Sequence, residues 1–402
     1  MIDKSNKMRK ILFVGMYPNA EDKYKNVFFR NLIFAMADMG VECTIISPVS
    51  YMHYGKRIKN IPKFVDETTP SGNVVHTYYP RIMSASSKQI GYYNTEHLSE
   101  RLFEKGALIL AKALIKKGHE FDAIYGHFFL YGGLAAIRIG RKLKAPAYVA
   151  FGECDYESQI QQTYGDLTKR DIDGLSGVIS VSTKNANRLK ELGIFSDIPI
   201  IIAPNSVDRE LFHPLDRSEC RSKLGLPKDK FIVSFVGGFI ERKGDKRLLA
   251  AVNDLDDVYL AYAGKGAEKP SGDNVLFCKP LDHDDIPTFL CASDVFCLPT
   301  LSEGSCNAVV EAMSCGVPVV SSNLSFNDDV LTDENAIRID PSSVDEIKEA
   351  LSKLKEDSSL RDKLSAAGVK SSETLDIKKR AEIILNFMFD GMWRNSRDLQ
   401  SK

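Results

Sequence analysis

Short runs of β-branched and aromatic residues recur along this chain, and a longer stretch with helical spacing follows most of them. That alternation most constrains how the chain can fold. In the first half the runs are Ile11-Leu-Phe-Val14, Cys43-Thr-Ile-Ile46, Ala123-Ile-Tyr125, Ala147-Tyr-Val-Ala150, Gly177-Val-Ile-Ser-Val181 and Ile200-Ile-Ile-Ala203. In the second half they are Phe231-Ile-Val-Ser-Phe-Val236, Val258-Tyr-Leu-Ala-Tyr262, Val275-Leu-Phe277, Val295-Phe-Cys-Leu298, Val317-Pro-Val-Val320 and Ala336-Ile-Arg-Ile339. Strands that are apolar almost throughout are buried on both faces. Their alternation with helices is the pattern of parallel sheets covered by helices. A polar stretch from Asp208 to Pro227, with Pro214 inside it, separates the two sets. A chain of 402 residues is too long for one ordinary core, and two domains of roughly 150–200 residues each are expected. The expected organisation is an α/β chain with one doubly wound domain over 1–207 and another over 208–376, the boundary lying near 205–215. Ligands of such sheets bind at the carboxyl ends of the strands. Beyond them Ile377, Ala381, Ile384, Met388 and Met392 make one apolar stripe at three- and four-residue intervals. Residues 377–402 therefore read as a terminal helix, packed on the second domain or crossing back to brace the first.

Composition excludes several classes. With 53 basic and 54 acidic residues the formal net charge is -1, so there is no global basic footprint for nucleic acid. The eight cysteines are scattered, with no C-x-x-C pair and no His at zinc-finger spacing. They read as reduced, mostly buried thiols, and no structural metal is expected. The apolar run that follows Met1 to Lys10 stops at Gly15, too short for a secretory signal. No apolar run approaches a membrane span. The expected location is cytoplasmic, with peripheral contact at the inner face of the membrane as the alternative. Residues 51–64 mix aromatics with Lys56, Arg57, Lys59 and Lys63 and contain no acid. They read either as a solvated loop or as a surface for an anionic membrane or acceptor.

Three segments have the residue types for chemistry, each at a strand end. Glu303-Gly-Ser-Cys-Asn-Ala-Val-Val-Glu311 follows a strand that stops at Pro299. Gly304 permits a tight turn, Ser305 or Asn307 can cap the helix that follows, and amides from 305 to 308 would then face an anion. Glu303 and Glu311 either serve two ends of an extended ligand or are a surface Glu and a helix-dipole Glu. Phe235-Val-Gly-Gly-Phe-Ile-Glu-Arg-Lys-Gly244 starts where the second domain's first strand ends. There Gly237 and Gly238 let backbone approach a ligand, and Arg242 and Lys243 suit a diphosphate or make a solvated basic turn. Gly126-His127-Phe-Phe-Leu-Tyr-Gly-Gly133 sets a His after a first-domain strand, where it can face a ligand or be structural. Gly264 in Gly264-Lys-Gly266 follows another strand, and Glu153 and Asp155 follow a fourth.

Taken together these residues resemble the retaining glycosyltransferases of family 4. EGSCNAVVEAMSCGVPVV is similar to that family's Glu-x7-Glu signature, and ASDVFCLPT to the segment before it. VGGFIERKG, AGKG, ISVS, the Asn205-Ser-Val-Asp208 junction with Phe212 and Pro214, and GHFFLYGGLAA are similar to further landmarks. The resemblance spans nearly the whole chain and is strongest from about 177 to 322. Among subgroups it looks most like bacterial enzymes of cell-surface polysaccharide assembly. It implies a GT-B fold, two Rossmann-like domains facing a central cleft with the C-terminal helix crossing back. It implies transfer of a sugar, with retention, from a UDP- or GDP-linked donor to a saccharide or lipid-linked acceptor, with no metal and no separate cofactor.

The resemblance also implies roles. Glu303 would contact donor sugar hydroxyls and support charge at the anomeric carbon, Glu311 would bind the ribose, and Lys243 with Arg242 would neutralise the diphosphate. The amides around Ser305, Cys306 and Asn307 would line the donor, and His127 would approach the sugar from the other domain. Three departures stand out. Many members have Arg where this chain has Gly238, and many have a Gly-Gly pair in the first loop, which here runs from Met16 to Asn26 without one. Lys23 or Lys25 are the candidates to compensate there. The junction reads Asn205-Ser206 rather than Asn-Gly. Two rivals stay open: a nucleotide-sugar epimerase or hydrolase on the same scaffold, and a non-catalytic donor-binding subunit. A nicotinamide dehydrogenase is disfavoured, because the first strand leads into Gly15-Met-Tyr-Pro18 and not a G-x-G-x-x-G turn.

Overall fold

The structure is a computed structural model, and it describes residues 8–85, 88–90 and 93–389. It divides into two compact units, 1–203 with 380–402, and 204–379. The division falls at 203/204, a few residues before the expected 207/208, because Asn205 and Val207 bond within the second unit. Asn205 binds Ser305, and Val207 exchanges backbone bonds with Leu375 and Ile377.

The first unit is built on an eight-stranded sheet. Its strands are β1 (Lys10–Val14), β2 (Glu42–Ile46), β3 (Phe64–Thr68), β4 (Val74–Tyr78), β5 (Ala123–His127), β6 (Ala147–Phe151), β7 (Leu175–Ser180) and β8 (Ile200–Ile202). They lie in the order β8-β7-β6-β5-β1-β2-β4-β3. All pairs are parallel except β3 with β4. That pair was not expected. β3 is an edge strand, exposed or half-exposed all along its length, so it lacks the continuous apolar run that marks the central strands. The helices used below are α1 (Val27–Asp38), α2 (Tyr51–Tyr54), α3 (Glu96–Lys116) and α4 (Leu134–Leu143). Residues 51–60 are thus helical rather than a loop, with α2 running into a tighter turn over Gly55–Asn60 and Tyr54, Ile58 and Ile61 buried beneath.

The second unit has a six-stranded, fully parallel sheet. It comprises β9 (Phe231–Val236), β10 (Val258–Ala263), β11 (Val275–Lys279), β12 (Val295–Leu298), β13 (Val319–Ser322) and β14 (Ala336–Ile339), in the order β11-β10-β9-β12-β13-β14. β13 starts two residues later than the apolar run, since Pro318 has no N–H to give the ladder; its carbonyl accepts from Phe296. This order is the dinucleotide-binding arrangement, whose direction reverses between β9 and β12. Helices α5 (Asp245–Asn253) and α6 (Asn307–Ser314) follow those two strands.

The last helix, α7 (Ile377–Met388), leaves the second unit and joins the first from Arg380 onward. Ala381, Ile384, Leu385 and Met388 are buried. Tyr148 on β6 donates its hydroxyl to the Met388 carbonyl at 2.9 Å, and the Phe387 ring lies against Gly177 on β7. Met392, expected to extend the stripe, lies outside the described residues. Each unit is therefore a Rossmann-like α/β domain.

Candidate functional site

In the second unit the loops at the switch point are 237–244 after β9 and 299–306 after β12. They bring Glu303, Arg242 and Lys243 into direct contact. Glu303 is buried at 7% exposure, and its Oε1 lies 2.6 Å from Arg242 Nη1 and 2.6 Å from Lys243 Nζ. The Thr300 hydroxyl donates to the same oxygen at 3.0 Å. The loops are also tied by backbone, since Leu301 N–H donates to the Arg242 carbonyl at 2.8 Å and Arg242 to the Ser302 carbonyl. One carboxylate oxygen thus accepts from two cations and a hydroxyl. Burial alone would lower the Lys243 pKa; the Cys306 thiol and Glu303 outweigh it and raise it. Lys243 is a cation here.

The helix that follows starts differently from the sequence expectation. Neither Ser305 nor Asn307 caps α6: the N-cap is Cys306, with no side-chain cap hydrogen bond. The Ser305 hydroxyl instead accepts from Asn205 N–H at 3.2 Å, and the Asn205 amide donates to the Ser305 carbonyl at 3.3 Å. The junction residue therefore clamps the loop that carries Glu303 and Gly304. Asn307 Oδ1 is buried with no partner among the described residues.

Glu311 lies one turn inside α6 and does not meet Glu303's cations. Its Oε1 is 3.3 Å from His283 Nε2. Burial pulls the His283 pKa down, but the bond and charge of Glu311, with Asp284 and Asp208, raise it. His283 was missed because it stands in a polar turn, with nothing in its own neighbourhood to tie it to a residue twenty-eight positions away.

The glycines divide. A Cβ on Gly264 would lie 1.9 Å from the Gly237 carbonyl oxygen, so Gly264 is required by backbone packing between the β9 and β10 loops. A Cβ on Gly238 would meet nothing nearer than the Lys265 carbonyl at 3.8 Å, so that position has room for a side chain.

In the first unit His127 ends β5 beside β1, where the sheet order reverses. Its ring stacks on Phe29 of α1, with centroids 4.0 Å apart and planes at 9°. Both ring nitrogens are buried without a partner among the described residues. Burial, then the charge of Arg380 on α7, lowers its pKa to about 3, so the imidazole is neutral. The following turn, Phe128–Gly133, carries positive φ at Phe128 (61°) and Tyr131 (59°), a strained setting for aromatic residues. Two buried carboxylates hold it. Phe129 N–H donates to Glu153 at 2.5 Å and Tyr131 N–H to Glu100 at 2.6 Å.

Glu153 is thus a buried backbone clamp rather than a residue open to a ligand. Burial raises its pKa to about 7, against the lowering by those N–H bonds. Asp155 caps the next turn through Glu157 and Ser158 N–H. Glu100 was missed, although it shares the buried stripe of α3 with Phe103, Ala107, Ala111 and Leu114, where an acid is out of place.

Residues 216–371 match the family described as "Glycosyl transferases group 1". A Bacillus subtilis (strain 168) protein described as a teichuronic acid biosynthesis glycosyltransferase, TuaC, is 23% identical over 355 residues, covering 86% of this chain and 88% of its own. Among solved structures, sucrose-phosphate synthase from Thermosynechococcus elongatus superposes with a TM-score of 0.77 at 19% identity, over 95% of this chain and 98% of that one. Anabaena HepE in complex with UDP-glucose does so with a TM-score of 0.65 at 15% identity, over 95% and 99%. The fold is GT-B, and the family match with its relatives supports a glycosyltransferase.

Proposed function

We propose that this chain transfers a sugar, with retention, from a nucleoside diphosphate sugar to an acceptor hydroxyl, as a family 4 enzyme of cell-surface polysaccharide or glycolipid assembly. The observation that carries the reading is the buried contact of Glu303 with Arg242 and Lys243 at the switch point. An anionic leaving group bound there meets two cations, one a fork and one a point charge. Their positive charge offsets the charge that develops on the diphosphate as the anomeric bond breaks, without requiring a metal. Glu303, an acceptor of hydrogen bonds, takes donor sugar hydroxyls and stabilises positive charge at the anomeric carbon. Glu311 exchanges His283 for ribose hydroxyls. Asn307 Oδ1, buried with no partner among the described residues, and the start of α6, which no side chain caps, add an acceptor and backbone N–H groups next to the loop that carries Glu303. In the first unit, His127 is neutral and both ring nitrogens lack a partner among the described residues, which makes it that unit's candidate for a hydrogen bond to a ligand. That HepE was solved with UDP-glucose on the same fold supports a UDP-linked donor.

The test is release of nucleoside diphosphate from a panel of UDP- and GDP-sugars, with and without EDTA, with and without saccharide or lipid-linked acceptors. Acceptor-dependent release that survives EDTA is expected. Full consumption of donor without acceptor would point to a hydrolase or epimerase, and no consumption to a binding subunit. Lys243→Ala and Glu303→Ala should each lower turnover by about 10²–10³-fold, the scale for losing one electrostatic contact at a transition state. Near-normal rates in both would remove the site assignment.

A further inference from the structure

The first unit has a cavity of about 240 Å³ that the donor site does not explain. It lies at the carboxyl end of β1 and β2, and its wall includes Ser50, His53, Tyr54, Ile82, Ser84 and Ser99. One edge is a short parallel pair, Val49–Ser50 with Arg81–Ile82. The Ser50 and Ser84 hydroxyls lie 2.5 Å apart just beyond it. The residues that leave this pair at the same end are apolar and exposed: Tyr51 at 48%, Met52 at 61% and Met83 at 55%. On helix α2, Tyr54 is buried in the cavity wall, His53 sits at the cavity's rim with its side chain 58% exposed, and Tyr51 and Met52 face solvent.

The turn that continues α2 adds exposed Lys56, Arg57 and Lys59, with Lys63 following. Glu21 is the acid that answers them, at 3.6 Å from Arg57, and from 51 to 65 there is none. Beneath this surface Tyr54, Ile58 and Ile61 are buried, so the segment is anchored and its outer face is built. Exposed methionine and tyrosine beside a run of cations, on a fixed helical turn, match a bilayer's interfacial zone. The apolar groups enter the headgroup boundary and the cations meet anionic lipid. A protein partner would not need this one-sided excess of cations.

We propose that Tyr51, Met52 and Met83 with Lys56, Arg57 and Lys59 form a lipid-docking surface for anionic bilayers, and that the cavity opens beside it at headgroup level. Resting on the glycosyltransferase reading, this sets the acceptor side of the enzyme at the membrane.

The experiment is co-sedimentation of the full chain with vesicles of phosphatidylcholine alone or mixed with phosphatidylglycerol. Binding to the mixed vesicles should be at least about tenfold stronger than to neutral ones and should weaken with salt. Lys56→Glu with Lys59→Glu should remove that preference, and Met52→Ser with Met83→Ser should lower binding to the mixed vesicles several-fold. None of these four residues lines the cavity, and all are exposed. Melting temperature and UDP binding in solution should match the wild type in both variants. No preference for the mixed vesicles, or charge-reversed protein that binds them as the wild type does, would overturn the proposal. UDP binding measured without vesicles reports on the donor site separately, so failure of the surface and failure of the glycosyltransferase reading are told apart.

Discussion

Replacing Glu303 by Gln should make the protein bind bare nucleoside diphosphate more tightly while it stops transferring sugar. The two diphosphate-binding candidates share one carboxylate, with Arg242 Nη1 and Lys243 Nζ each 2.6 Å from Glu303 Oε1. An anion bonded to the same nitrogens at about 2.8 Å would sit about 4–5 Å from that oxygen. Two unit charges at that separation repel by about 3–4 kcal/mol at an effective dielectric of about 20. Solvent screens part of it, because the Arg242 side chain is 34% exposed. About 1.5–3 kcal/mol then remains, equal to about 10–100-fold in affinity.

Glutamine keeps the volume and the bond from Thr300 and removes only the charge. Isothermal titration of UDP and GDP into wild type and Glu303→Gln measures the change, with melting temperature as the control for folding. A donor sugar should gain less than the bare diphosphate, because it loses the carboxylate acceptor for its hydroxyls. If Glu303→Gln binds UDP more weakly than the wild type, the cations do not face the diphosphate, and the assignment of Arg242 and Lys243 fails.

Asp294 is buried and accepts from Arg221 at 2.7 Å, Arg217 at 2.8 Å and the Ile232 N–H at 2.7 Å. Because Arg221 is itself buried, Asp294→Ala should cost about 3–5 kcal/mol in denaturant unfolding of the second unit. Gly264→Ala should abolish UDP binding, since its Cβ would strike backbone, whereas Gly238→Arg should fold normally and strengthen UDP binding by adding a cation; equal behaviour of the two would contradict the packing argument. His127 has a depressed pKa of about 3, so its stabilising effect is full above its ordinary 6.5 and is lost as pH falls toward 3. Glu153 has a raised pKa of about 7, so its effect is full below 4.5 and is lost as pH rises toward 7. Stability measured against pH should therefore change slope in opposite senses for His127→Phe and Glu153→Gln, each by about 1.4 kcal/mol per pH unit between 4.5 and 6.5. Parallel curves would show that these groups titrate at their ordinary values.

Much of the architecture is legible without coordinates. All six strands of the second unit were visible as apolar runs: β9, β10, β12 and β13 are largely buried on both faces and have few polar positions to disguise them, and the edge strands β11 and β14 keep short apolar runs although partly exposed. β3 and β4 lie toward the sheet edge, expose one or both faces and have polar residues interrupting their apolar ones, which hid them. The motifs at 237–244 and 303–311 could be placed at strand ends, since glycine and proline punctuate turns locally. Their contact could not be read, because it depends on β9 and β12 being neighbours although β10 and β11 lie between them in the chain.

What the sequence determined by itself is what local chemistry enforces: two α/β domains, the order of strands and helices, and the segments that can hold an anion. The tertiary structure alone decided the pairings. It gave Glu303 to Arg242 and Lys243, Glu311 to His283, Ser305 to Asn205, and turned Glu153 and Glu100 into clamps for the turn after His127. The reason is that charge and hydrogen bonding act over a few ångströms of space whatever the separation in sequence. A side chain's partner is set by which strands the fold makes adjacent, and residues 24 to 100 positions apart become neighbours only once the sheets have formed.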